Sequence, residues 1–392
     1  FTYRNIAGKG LALKGRFQVN YPAVFFPLGF LYNPDRIDTL LQRFSEEELQ
    51  NPLSLSEGQA IVAMSYPRIP GWLWNTGAHV DWNTVRDIRW AFTMNRTSLL
   101  MGLFTNPAQG FHLRPQGEME FTYFDCAVEG RELGQSCGEE SIGLTQKQES
   151  GTIALGTLRL MTLWDKRDDP FQPHKGWMFS TTLESTTGNG ILDSGGSSSS
   201  NVGLAPIEVS SLYGKVTSAA SFFLPLAPGV TLAQNMKSGW IHSYDSAGYV
   251  PLFKRFFLGG TKTIRGFNED QILPVDDEEW PAWEKDPLRP ELLGTNKTSL
   301  GGQVFWVSRT EFRFPLSERF EGGMFLDMGA LALDPANLAL DLSAAGMGMG
   351  VRFQTPIGPF VVDLATPLLN GRRRLGFDPS ESFRLHFAIG YF

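Results

Sequence analysis

The sequence predicts an all-β protein, and within that class a transmembrane antiparallel β-barrel, from three observations. Apolar and polar residues alternate with a period of two in segment after segment, the connections alternate between short and long, and no apolar run reaches the roughly 18 residues that a membrane helix needs.

The first clear strand is 11–21, where Leu11, Leu13, Gly15, Phe17, Val19 and Tyr21 alternate with Ala12, Lys14, Arg16, Gln18 and Asn20. Such a strand has one apolar and one charged face. It suits a soluble sandwich, with the charged face in water, or a membrane barrel, with the apolar face in lipid and the charged face on the lumen. Similar segments follow at 60–66, 76–88, 90–104, 111–124, 154–164, 177–184, 209–224, 230–244, 303–314, 322–333, 346–354, 360–365 and 383–391. Their connections decide between the two. Short turns at 67–75, 106–110, 170–176, 227–229, 315–320 and 355–359 carry Pro and Gly, and they alternate with long loops at 31–59, 125–152, 188–207, 245–302, 334–345 and 369–382. Short turns on one side and long loops on the other characterise an outer-membrane-type barrel.

Composition agrees. The 392 residues are 42% hydrophobic with 30 Phe and 10 Trp, more apolar surface than a disordered chain leaves exposed. A formal net charge of -7 lacks the footprint of a nucleic-acid binder. The chain begins with Phe and shows no signal-peptide pattern, so any leader is expected upstream or already removed. Cys126 and Cys137, the only cysteines, share one polar segment. They are read as a disulfide in an oxidising compartment, the alternative being two unpaired thiols. In the loop 31–59, Asn33-Pro34 followed by Ile37, Leu40, Leu41 and Phe44 predicts a short amphipathic helix. Residues 195–200, Gly-Gly-Ser-Ser-Ser-Ser, read as a loop tip without chemistry.

Catalytic and metal patterns do not emerge. His79, His112, His174, His242 and His386 lie in separate segments without HExxH spacing, and no GxSxG elbow occurs. The expectation is a protein that is not an enzyme and uses neither metal nor cofactor.

The densest local signal is Phe256-Phe257-Leu258-Gly259-Gly260-Thr261-Lys262-Thr263-Ile264-Arg265-Gly266-Phe267, inside the longest loop. It resembles the GG…(V/I/L)RG(F/Y) motif of the BamA/TamA superfamily of outer-membrane insertases. Further segments resemble that family in the same order: Asn5 with Gly8 and Gly10, Asp165-Lys166-Arg167-Asp168 with Pro170, Pro173 and Gly176, Glu311-Phe312-Arg313-Phe314-Pro315-Leu316, Phe325-Leu326-Asp327-Met328-Gly329, and Thr355-Pro356-Ile357-Gly358-Pro359 with Asp363 and Pro367. The resemblance runs the length of the chain. It implies a single barrel domain over 1–392 of the sixteen-strand type, with periplasmic polypeptide-transport-associated domains upstream. About fourteen strands and a stub, Phe1–Arg4, can be counted, so the first strand of that type is expected to lie outside this sequence.

Counting by twos along 303–314 puts Trp306, Phe312 and Phe314 on one face and Arg309, Glu311 and Arg313 on the other, and the same count turns Asp327 inward. Two carboxylates in a lumen need a cation. The resemblance implies that Arg265 folds in and pairs with Glu311 and Asp327 through bidentate, charge-assisted bonds. Gly259, Gly260 and Gly266 would let the backbone beside Ile264, Arg265 and Phe267 bend against the wall. The last segment alternates Phe383, Leu385, Phe387, Ile389 and Tyr391 with Arg384, His386, Ala388 and Gly390, and ends at Phe392. The resemblance makes it the gate strand, with Gly390 suited to weak pairing, the alternative being an ordinary closing strand.

The implied function is assembly of outer-membrane proteins through a lateral gate between first and last strands. Its partners would be nascent β-barrel proteins, accessory lipoproteins and outer-membrane lipids, with long loops extracellular and short turns periplasmic. The competing reading is a two-partner-secretion type pore exporting a polypeptide, and a passive porin comes third.

Overall fold

Each alternating segment forms a strand, and successive strands pair antiparallel in chain order, the last one excepted. The computed structural model describes residues 2–6, 10–20, 57–89, 92–126, 150–192, 206–245, 248–276, 299, 301–317, 319–338, 344–353, 359–370, 373–374 and 383–389. The strands are β1 (Thr2–Ile6), β2 (Leu11–Asn20), β3 (Glu57–Tyr66), β4 (Gly77–Ile88), β5 (Phe92–Ala108), β6 (Phe111–Cys126), β7 (Gly151–Asp165), β8 (Gly176–Leu192), β9 (Ile207–Ala227), β10 (Val230–Ser243), β11 (Val304–Pro315), β12 (Phe320–Ala332), β13 (Ala344–Phe353), β14 (Phe360–Asn370), β15 (Arg373–Arg374) and β16 (Arg384–Ile389). They form one sheet in chain order; β15 and β16 both run along the free side of β14 and share one strand position. Among the described residues no ladder joins β1 to β16.

The two faces separate as the alternation predicts. Large apolar side chains such as Phe17, 79% exposed, and Leu158, 73% exposed, cover the outside. Inside lie buried Glu120, Asn235, Arg309, Glu311 and Asp327. Cross-strand pairs stitch this inner face: Arg159 lies opposite Glu184 on β8 and donates to it at 2.6 Å, and Thr157 lies opposite Thr186 with its hydroxyl 3.0 Å away. An apolar outer belt around a charged interior is stable only where lipid covers the belt.

Several strands run further than their apolar alternation. β8 continues through Thr186-Thr187-Gly188-Asn189-Gly190, and β9 spans 21 residues, so the expected strand 177–184 and loop 188–207 are corrected. Along this stretch small and polar residues fill both faces, and the period-two hydrophobic signal fades while the ladder persists. Cys126 accordingly ends β6 instead of lying in a loop. Asn5 belongs to β1 and not to the turn; Gly10, with φ +74°, stands directly before β2. The last strand covers Arg384–Ile389, so Phe383 precedes it. Cys137, the helix proposed around 33–44, the tip 195–200, Gly8, 355–358, and Gly390, Tyr391 and Phe392 lie outside the described residues.

The β10–β11 connection turns inward and shows how far the sheet curls. Its 3-10 turn, Leu252–Lys254, packs against β5 to β7 in a buried cluster with Phe92, Met94, Phe124, Ile153 and Leu155. A few residues later, Ile264 and Phe267 enter a second cluster with Val307, Leu331 and Ala344 of β11 to β13. One short stretch of chain can touch both sets only if the sheet wraps around it.

Candidate functional site

The inward loop is shaped by its glycines. An antiparallel bridge, Leu258 with Ile272, closes the base of a compact excursion. Gly259, Gly260 and Gly266 take φ of +118°, +82° and +93°, a region that residues with a side chain rarely adopt. The Thr263 hydroxyl accepts from the Gly259 N–H at 2.8 Å and donates to the Gly259 carbonyl at 2.7 Å, locking the bend. Ile264 and Phe267 are thereby turned into the apolar cluster while Arg265 faces the acidic wall.

Arg265 meets three carboxylates. Its Nε and Nη2 donate to the two oxygens of Asp327 at 2.7 and 2.9 Å, and its backbone N–H adds a bond to Asp327 at 3.1 Å. Nη1 donates to Glu311 at 3.1 Å and to Asp363 at 2.8 Å. The Phe325 ring lies 3.4 Å below the guanidinium carbon, a cation-π contact in a desolvated site. Around this centre Arg313 donates to Glu311 at 2.8 Å, Arg352 bridges Glu311 at 2.9 Å and Asp363 at 3.2 Å, and Arg309 stands 3.6 Å from Asp327. All seven ionic side chains are buried.

The wall makes room for the loop. On β13 the inward positions carry Gly346, Gly348, Gly350 and Arg352, and the outward ones Met347, Met349 and Val351. A Cβ on Gly346 would stand 2.0 Å from the Arg265 carbonyl oxygen, so backbone packs on backbone here. From the last strand, His386 Nε2 accepts from the Gly266 N–H at 3.0 Å, and Arg384 donates to the Gly266 carbonyl at 2.5 Å and to Asn268 at 3.2 Å. Phe383, Leu385 and Phe387 point outward, and Ile389 pairs with Phe360.

A second anchor holds the other end of the loop. Lys254 donates to the buried Glu120 of β6 at 2.6 Å, Lys215 of β9 donates to the Lys254 carbonyl at 2.7 Å, and the Phe253 and Phe124 rings lie 5.4 Å apart. On the long-loop side Arg89 reaches Asp270 at 3.3 Å. Burial pushes the Asp270 carboxyl up to about 6, opposed by Arg89 and reinforced by Glu269.

This architecture and this loop coincide with one known domain: the family model of the Omp85 superfamily domain matches residues 5–392. The chain belongs to the Omp85 superfamily. Among proteins similar to this Omp85 chain, a SAM50-like protein of Schizosaccharomyces pombe is 25% identical over 240 residues, 58% of this chain and 43% of that protein. Outer membrane protein assembly factor BamA of Nitratidesulfovibrio vulgaris is 26% identical over 168 residues, 43% of this chain and 19% of that protein. The Omp85 chain thus matches less than half the length of either relative. In fold it is similar to BamA from Haemophilus ducreyi lacking POTRA domains 1–3, with a TM-score of 0.62 and 13% identity, over 99% of this chain and 66% of that one. CdiB from Escherichia coli is similar with a TM-score of 0.50 and 14% identity, over 100% of this chain and 58% of that one.

The Omp85 loop therefore brings Arg265, Glu311 and Asp327 together, with one change of emphasis. The bidentate partner is Asp327, Glu311 takes a single bond, and Asp363 completes the set. Sequence reasoning passed over Asp363 and Arg352 as partners and missed the Lys254–Glu120 anchor. The glycine at every second position of β13 was a readable sign of a close backbone approach.

Proposed function

We propose that this Omp85 chain is the barrel of an outer-membrane protein assembly factor that folds and inserts β-barrel proteins without enzymatic chemistry, metal or cofactor. The observation that carries the reading is how β16 is held. It has a six-pair ladder to β14 on one side and hydrogen bonds from Arg384 and His386 to the inward loop, while no ladder to β1 occurs among the described residues. A strand at the edge of a sheet can template an incoming strand. In this reading β16 borders a lateral gate between the first and last strands of the barrel, and the loop keeps β16 in place while its edge is offered. The name of the BamA relative, an outer membrane protein assembly factor, supports the same activity.

Nascent β-barrel proteins are the substrates, with accessory lipoproteins and outer-membrane lipids as further partners and no nucleic acid. The long loops face outside the cell and the short turns the periplasm. The second reading, a two-partner-secretion type pore, gains from the similarity in fold to CdiB. It requires an exported polypeptide to pass the loop, which is fastened to opposite walls by Lys254 and Arg265.

The test uses the full-length protein in proteoliposomes with an unfolded barrel substrate, and a photo-crosslinking residue placed either at Phe387 on β16 or at Lys215 in the lumen. Capture of substrate from Phe387 together with its folding is expected. Capture from Lys215 alone, with substrate released across the membrane, would replace the insertase by the pore.

A further inference from the structure

The turn between β3 and β4 takes no part in the lumen network. Residues 67–76 read Pro-Arg-Ile-Pro-Gly-Trp-Leu-Trp-Asn-Thr. At its tip Trp72, Leu73 and Trp74 are 56%, 71% and 55% exposed. The backbone is built to present them. Trp74 and Asn75 have φ of 57° and 53°, two successive residues with side chains in the left-handed region. Two buried hydroxyls hold this bend, one on Thr76 directly before β4 and one on Thr105 of β5: Thr76 Oγ1 lies 2.5 Å from the Leu73 carbonyl, Thr105 Oγ1 lies 3.2 Å from the Trp74 carbonyl, and the two hydroxyls are 3.2 Å apart. The Ile69 N–H donates to the Thr76 carbonyl at 2.8 Å and closes the base. Strain secured in this way keeps three large apolar side chains projecting together.

The position of the tip selects its partner. It lies at the short-turn end of the sheet, where outward-facing aromatic side chains form a row. Phe111 and Trp164 meet edge-on at 6.2 Å, Trp164 and Trp177 at 5.1 Å, and Phe320 contacts Phe353 at 5.2 Å. Trp is favoured at the level of lipid headgroups, where its ring has one apolar and one wet side. The tip continues that row past the strand ends, and the exposed Arg68 beside it matches the charge of phosphates.

We propose that Trp72-Leu73-Trp74 is a membrane wedge, inserted at the boundary between headgroups and acyl chains in the leaflet on the short-turn side. It binds lipid, not protein. The inference rests on the barrel's membrane placement and adds to it a specific lipid contact at the turn between β3 and β4. Inserted there, two indoles and a leucine would displace headgroups and disturb lipid packing around the turn.

The experiment places a nitroxide label at Leu73→Cys, and separately at Trp72→Cys, in the full-length protein with Cys126→Ser and Cys137→Ser. The protein is reconstituted in phosphatidylethanolamine–phosphatidylglycerol vesicles, and Leu158→Cys, in the outer belt, is labelled as the placement control. Both tip labels should be relaxed by oxygen and shielded from a water-soluble nickel chelate, as the control is. Tip labels open to the chelate while Leu158 is shielded would overturn the wedge and leave the membrane barrel standing. Tip labels shielded from both reagents would mean that protein covers the turn, which also overturns the proposal. A Leu158 label open to the chelate would overturn the membrane placement and the wedge with it.

Discussion

Removing the Arg265 side chain strips one buried carboxylate of its bidentate partner. It takes away two bonds to Asp327, one to Glu311 and one to Asp363. Glu311 still has Arg313 and Arg352, and Asp363 still has Arg352. Asp327 keeps the residue-265 backbone N–H at 3.1 Å and, as its nearest remaining cation among the described residues, Arg309 at 3.6 Å. Four guanidiniums facing three carboxylates become three facing three, so overall charge balance is not what fails. What fails is the pairing of one fully buried acid. Breaking a buried pair from one side costs about 3–5 kcal/mol, so the ratio of docked to released loop should fall roughly a hundred- to a few thousand-fold. Arg265→Lys keeps the charge but loses the fork and should cost about 1.5–3 kcal/mol. Adding Asp327→Asn to Arg265→Ala removes the orphaned charge and should recover most of the loss, whereas Glu311→Gln should not. Hydrogen exchange of the segment 258–272 in the full-length, reconstituted protein measures the docking ratio directly. Exchange in Arg265→Ala within a few-fold of wild type would refute the reasoning, and so would equal rescue by the Asp327 and Glu311 changes. The first outcome would mean that the apolar cluster around Ile264 and Phe267 holds the loop by itself, and the second that the balance of charge fails and not the pairing of Asp327.

Three further outcomes follow from the same geometry. Gly346→Val should release the loop as fully as Arg265→Ala, because its Cβ meets a backbone oxygen 2.0 Å away, while Met347→Val on the lipid face should leave exchange unchanged. Lys254→Ala leaves Glu120 buried with Arg96 at 3.9 Å and should destabilise the 249–257 anchor by about 3 kcal/mol, read as increased exchange there and raised conductance in planar bilayers, with Glu120→Gln restoring both. Asp270 supplies a pH dependence: a carboxyl raised on folding favours the folded loop below the ordinary value of 3.8 and loses that contribution as pH rises through about 6. Protection of 268–272 should therefore weaken across that window, and Asp270→Asn should flatten the profile.

The strands were legible because lipid outside and charge inside impose a period of two that survives in a single sequence. Their ends were not, since Thr186, Gly188 and Asn189 satisfy the ladder without any apolar contrast. Parity alone turned Glu311 and Asp327 inward, and the loop motif supplied Arg265. Parity gives a side chain's face but not its height, and height is set by the stagger between strands. Asp363 reaches Arg265 because Gly350 is its register partner on β13 and Gly346, four residues away, lies opposite Asp327 on β12. No period or spacing states that stagger. The pairing of Lys254 with Glu120, 134 residues apart, leaves no local trace at all.

The two kinds of contact in the loop do different work. Burial of Ile264, Phe267, Leu258 and Ile272 supplies affinity without direction, since apolar contact tolerates sliding. The ionic set contributes less net stability than its bonds suggest, because each charge gives up its hydration to enter. Its contribution is position: a planar fork fits Asp327 in one orientation, and that orientation sets where the next peptide lies. That next peptide is Gly266, whose N–H and carbonyl are taken by His386 and Arg384 of β16. A small rotation at Arg265 is therefore passed directly to the last strand, while the lipid-facing row of Phe383, Leu385 and Phe387 is left untouched. On this reasoning, variants of the arginine network should alter the placement of β16 before they lower the stability of the barrel, and an undocked loop in an intact barrel is the state in which to look for that displacement.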